Sequence, residues 1–149
     1  MAKKKMDELV GYHLGMAAHL IQNHYNKKLA EHGLTAAQSR VLYILNQHEK
    51  LMQAELQKRL YIQASTMNGI IDTLLKKELI TKDDSKEDRR SKVISITAAG
   101  QSLEEKLSNE VYEIEESLLK GFSPEEQQLF VSWIKRMREN LQDMKISAR

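Results

Sequence analysis

Asp88, Arg89, Arg90 and Lys92 are the residues whose types and spacing point most directly to a chemistry. They belong to a charged segment, residues 83–92, between two short runs with the pattern of paired strands, 79–82 and 92–97. Val93, Ile94 and Ile96 are β-branched, and Ile94 and Ile96 alternate with Ser95 and Thr97, as in a half-buried strand. An arginine at the tip of a thin β-ribbon fits the narrow minor groove of a duplex, where negative potential is deepest. An aspartate two residues before Arg90 can hold its guanidinium in one orientation. Charged tips are also ordinary on solvated hairpins, so the ribbon alone does not decide the matter.

A second group, Gln63, Ser65, Thr66, Asn68 and Thr73, lies on the polar side of a helix expected over 64–77. Short polar side chains at the start of a helix can bond base edges or phosphate oxygens. Ordinary capping uses the same residue types. What precedes and follows decides how these residues are placed. A helix opens at Thr35 with a capping box completed by Gln38, a short helix covers 53–60, and the strand pair follows 64–77. Helix, short helix, helix and two-stranded wing is the winged helix-turn-helix order, in which the second helix of the motif enters the major groove by its N-terminal end.

The remaining chain is helical by pattern. Residues 7–31 carry Leu9, Tyr12, Met16, Leu20 and Leu29 near helical spacing, with Gly11, Gly15 and Ala18 forming a smooth stripe or a locally weakened helix. Residues 98–120 place Leu103, Leu107, Val111, Ile114 and Leu118 on one face. Ser123-Pro124-Glu125-Glu126 then starts a last helix reaching about residue 144. These three helices exceed what a small winged module needs, and each apolar stripe must be buried. Pairing with a second copy buries them and suits a palindromic duplex with half-sites about 34 Å apart. Folding back as a monomeric bundle is the alternative.

Composition sets the outer limits. The 149 residues are 41% hydrophobic and 30% charged, as in a folded domain. The absence of cysteine excludes disulfides, thiolate metal sites and a cysteine redox switch. No apolar run reaches membrane-span length and no signal peptide precedes the first helix, so a cytoplasmic protein without membrane partners is expected. Lys and Arg exceed acids by eleven to eight over 38–97, while acids lead by ten to seven over 98–149. The middle is therefore the part suited to meeting phosphate. An enzyme is not indicated: there is no Gly-rich phosphate loop, no Gly-x-Ser-x-Gly elbow and no cysteine nucleophile. His13, His19, His24, His32 and His48 do not form an i, i+4 pair, and neither a metal nor a cofactor is expected.

The chain resembles the MarR family of transcription regulators. The resemblance is carried by Gly33-Leu34-Thr35 with Gln38 and Val41-Leu42, by Gln53-Ala54-Glu55-Leu56 with Leu60, and by Ser65-Thr66-Met67 with Ile70-Ile71-Asp72 and Leu74. It is completed by Asp88-Arg89-Arg90-Ser91 followed by Val93, Ile96, Thr97 and Gly100. It implies a mainly α fold with a small two-stranded antiparallel wing, and a homodimer whose first and last two helices interlock. The corresponding division is 1–34 and 98–149 for dimerisation and 35–97 for DNA. It implies that Arg90 probes the minor groove while Asp88 braces it, with Arg89 and Lys92 beside them and Gln53 on a phosphate. It further implies a repressor released by a small anionic or phenolic ligand, bound near His13, Met16, Ala17 and Arg40. A winged-helix module for protein–protein assembly, without sequence-specific DNA binding, is the competing function. Three positions depart from the family pattern: Gly69 where a long polar side chain is frequent, Glu78 at the usual glycine after the reading helix, and Met52 where a hydroxyl cap is usual. Glu78 raises the expectation of a different helix ending, because a left-handed C-cap disfavours side chains.

Overall fold

The structure, a computed structural model, describes residues 2–144. The chain divides after Ile114 into two compact units. The first holds α1 (Val10–Glu31), α2 (Ala36–His48), β1 (Lys50–Met52), α3 (Gln53–Leu60), α4 (Ala64–Lys76), β2 (Ile80–Asp84), β3 (Lys92–Ile96) and most of α5 (Ala98–Leu118). The second holds the end of α5 and α6 (Pro124–Asp143).

The winged module forms around one apolar centre. Val41, Leu42 and Leu45 of α2, Leu56 of α3, Met67, Ile71 and Leu74 of α4 and Ile94 of β3 are fully buried. Their spacing along α2 and α4 is the i, i+3, i+4 stripe of an amphipathic helix. Thr35 caps α2 as its sequence predicts: its hydroxyl accepts from the Gln38 N–H at 3.3 Å, and the Gln38 side chain accepts from the Thr35 N–H at 3.0 Å. Ser123 and Glu126 make the same reciprocal cap at the start of α6. Met52 provides no side-chain cap, yet α3 starts directly after it.

Three local expectations change. The wing sheet has three strands rather than two, in the order β1-β3-β2, all antiparallel. Lys50, Leu51 and Met52 pair with Ser95, Ile94 and Val93, and three residues are too few to display strand alternation in a sequence. The first helix starts at Val10, because Leu9 is extended at φ −90°, ψ 125°. Met6–Glu8 forms a separate 3₁₀ turn closed by the Glu8 carboxylate on the Lys5 N–H at 2.9 Å. The wing ladder starts at Ile80 and runs to Asp84, two residues nearer the tip than expected, while Leu79 closes α4 instead.

That closure corrects the expectation for Glu78. Glu78 takes the left-handed conformation at φ 59° despite its side chain. Its N–H bonds the Leu75 carbonyl at 3.0 Å and the Leu79 N–H bonds the Leu74 carbonyl at 3.1 Å, the paired bonds of a Schellman ending. Leu74 and Leu79 are both buried, so the apolar contact that accompanies this motif is present in kind. α4 thus ends where a glycine would end it.

The base of the wing is fixed by Thr97 and Gly100. The Thr97 hydroxyl donates to the Glu78 carbonyl at 2.9 Å and accepts from the Gly100 N–H at 3.0 Å. The Thr97 N–H donates to the Leu79 carbonyl at 3.0 Å. One residue therefore joins the end of α4, the exit of β3 and the start of α5. A Cβ on Gly100 would collide with the Leu79 carbonyl oxygen and stand 2.8 Å from Ile96 Cγ1, so only glycine allows this approach.

Candidate functional site

The start of α4 is offered to solvent rather than consumed by local bonds. Gln63 is the N-cap at φ −70°, ψ 152°, but its side chain does not cap. Gln63, Ser65 and Thr66 are exposed, and among the described residues their side chains hold no hydrogen bond. The capping explanation for these polar residues therefore fails, which leaves their donors and acceptors available. Met67, directly after them, is fully buried and fixes the face they present. The connection from α3 is made by Tyr61, left-handed at φ 54° with its side chain 82% exposed.

Gln53 and Asn68 come together although fifteen positions separate them: Gln53 Nε2 donates to Asn68 Oδ1 at 2.6 Å. The first residue of α3 thereby orients a residue of α4, and Asn68 keeps its N–H₂ donors for an outside acceptor. Thr73 differs from the others. It is half-buried, and its hydroxyl donates to the Gly69 carbonyl of its own helix at 3.0 Å. Gly69 has nothing within 4 Å of where a Cβ would stand, so the departure noted there leaves open surface.

The wing tip is ordered from within. The Ser85 N–H donates to the Ser91 carbonyl at 2.9 Å and the Ser91 N–H to the Asp88 carbonyl at 3.0 Å. Asp88 Oδ1 accepts from the Arg90 N–H at 3.0 Å and Oδ2 from the Ser91 hydroxyl at 3.4 Å. Asp88 therefore grips the backbone of the turn and does not pair with the Arg90 guanidinium. This is an Asx-type turn, and it sets where Arg89 and Arg90 leave the loop. Both arginines are exposed, and neither forms an ion pair among the described residues. Lys92 instead pairs with Asp84, its register partner on β2.

A cavity of about 360 Å³ lies within the first unit, between α1, α2 and α5. Arg40 lines it, together with Lys28, Tyr43, Glu104, Glu110 and Tyr112. Of the four residues expected near a ligand, only Arg40 is brought there; the lining of α1 begins at Gln22, beyond His13, Met16 and Ala17. His13 is exposed, and its Nε2 lies 2.6 Å from the Asp7 carbonyl oxygen at the N-terminal turn. Glu104 is 6% exposed and takes the Asn46 amide and the Ser108 hydroxyl at 2.5 Å each. Glu110 Oε1 meets His32 Nε2 at 3.1 Å. The acids escaped notice in the sequence, yet a signal exists: Glu104, Leu107 and Glu110 recur every three residues on the apolar side of α5, where solvated acids do not belong.

Apolar side chains remain uncovered in the second unit. α6 has no buried residue, and Phe130, Trp133 and Leu141 are 44%, 47% and 65% exposed. On α1, Val10, Met16 and Leu20 are also exposed. Among the described residues no helix is long and apolar enough to cross a membrane, and no group of three or more His, Cys, Asp or Glu is arranged to hold a metal ion.

Residues 34–92 match the profile of the MarR family. An organic hydroperoxide resistance transcriptional regulator of Bacillus subtilis is 28% identical over 102 residues, covering 68% of this chain and 69% of that protein. Among solved structures, Bordetella bronchiseptica BpsR, described for the regulation of its DNA binding by 6-hydroxynicotinic acid, superposes with a TM-score of 0.82 at 25% identity. That match covers 92% of this chain and 98% of BpsR. The S. aureus MepR–DNA complex matches with a TM-score of 0.80 at 25% identity, over 89% of this chain and 98% of that one. The module α2 to β3, the family profile and these relatives, which are regulators and not enzymes, agree: residues 34–92 form a winged-helix module of the MarR family, and the chain as a whole is similar to MarR-type transcriptional regulators.

Proposed function

We propose that this protein binds double-stranded DNA as a homodimer, with one winged module on each half of a palindromic site, and acts as a repressor released by a small molecule. The observation that carries the DNA reading is the pair of open elements on one module. Gln63, Ser65 and Thr66 stand uncapped at the start of α4, and Arg89 and Arg90, without an ion pair among the described residues, project from a turn held by Asp88. In this reading α4 enters the major groove, Asn68 donates to a base or phosphate acceptor, and Gln53 positions Asn68 at the backbone. Arg90 enters the adjacent minor groove, flanked by Arg89 and Lys92. MepR, which is 25% identical, has been captured on DNA.

The uncovered stripes of α1 and α6 support pairing through 1–34 and 98–149, with 35–97 as the reading module. The cavity between α1, α2 and α5 supports ligand control, since its volume suits a compound of one ring. BpsR, a relative of the same fold, responds to such a compound.

The test is duplex binding by Arg90→Ala, followed across a salt series. The substitution weakens binding by about 1–3 kcal/mol and leaves the dimer intact. The native protein loses affinity steeply with salt, because several phosphates release counterions. Unchanged affinity in Arg90→Ala contradicts the role of the wing, and a flat salt response with no preference among duplexes favours a protein-assembly role.

A further inference from the structure

We propose that the cavity takes an aromatic zwitterion, with its carboxylate held by Lys28 and Arg40 and its protonated amine donating to Glu110. This rests on the reading above that a small molecule occupies the cavity. The starting point is an unfilled acceptor. Glu110 Oε1 meets His32 Nε2, but Oε2 is buried and among the described residues has no hydrogen-bond partner. An unsatisfied buried acceptor is destabilising, more so when charged, so an occupant that donates there removes a standing penalty.

Glu104 offers no such opening. Its two carboxylate oxygens are already taken by Ser108 and Asn46 at 2.5 Å. The demand for a donor therefore falls on Glu110. Two cations line the same cavity with valence left for an anion: among the described residues neither Lys28 nor Arg40 forms an ion pair. Lys28, Arg40, Glu104 and Glu110 sum to zero formal charge around one space. A simple anion would meet two glutamates there, and a simple cation would meet a lysine and an arginine. A molecule with both charges on a rigid spacer meets each with its complement. Tyr43 and Tyr112 line the same space and provide flat faces for a ring.

The test is calorimetric titration of the purified 149-residue protein with three matched compounds. They are para-(aminomethyl)benzoate, its isostere para-ethylbenzoate without the amine, and para-methylbenzylamine without the acid. The zwitterion binds about tenfold or more tightly than either partial compound. In Glu110→Gln the advantage over para-ethylbenzoate falls to about threefold or less, while para-ethylbenzoate itself binds no worse. Equal affinities in the native protein, survival of the amine's advantage in Glu110→Gln, or no binding of any of the three overturns the assignment. The native comparison decides even if the variant fails to fold. Salt-dependent duplex binding, measured on the same preparation, separates the two readings. Retained duplex binding with no preference for the zwitterion defeats only the ligand class, and lost duplex binding defeats the regulator.

Discussion

At the scale of single residues, the chemistry depends on which polar groups are left unspent. Asp88 illustrates the difference between a motif and its mechanism. Its place two residues before Arg90 was readable, but the bond it makes is to the Arg90 N–H and not to the guanidinium. Spacing in a sequence cannot separate these, because both atoms lie within reach of one carboxylate. Asp88→Ala should therefore weaken duplex binding by about 1 kcal/mol through a looser turn, and speed amide exchange at Arg90 and Ser91. Native exchange rates in that variant would contradict the assignment. Gly69 stands over open surface, so Gly69→Lys should tighten duplex binding and raise the salt slope by about one unit, as one added phosphate contact does. An unchanged slope would show that no phosphate passes there. Glu78 is left-handed without being glycine, and Glu78→Gly should stabilise the protein by about 0.5–1 kcal/mol in urea denaturation. A loss of stability would mean that the carboxylate has an unrecognised partner.

At the scale of elements, most of the module was legible. α3 falls on residues 53–60 as its pattern predicts, and the caps at Thr35 and Ser123 are both formed. These boundaries are written in local chemistry: hydroxyl caps, a proline and an apolar period. β1 was not legible, because its three residues gain strand character only from β3 beside them. The cavity was equally hidden, since it joins residues from α1, α2 and α5 that no local pattern connects. Gly100 shows the same tertiary dependence. It was noted only as part of a motif, while its reason is the Leu79 carbonyl against which α5 begins. Gly100→Ala must push α5 away from the wing and should cost about 1–3 kcal/mol of stability, read as a lower denaturation midpoint. A variant as stable as the native chain would show that the junction yields more easily than its geometry implies.

At the scale of the whole molecule, the proposed function depends on copying one reading surface by a two-fold axis. The exposed stripes of α1 and α6 give a second copy something to cover, and the proposed dimer would repeat the wing and α4 on one side of a duplex. The direct measurement is selection of bound duplexes from a random pool by the purified 149-residue protein at low ionic strength. The account predicts enrichment of an inverted repeat whose half-site centres lie about one helical turn, roughly 34 Å, apart. A pool that emerges unenriched, or enriched for a single undivided half-site, would contradict it.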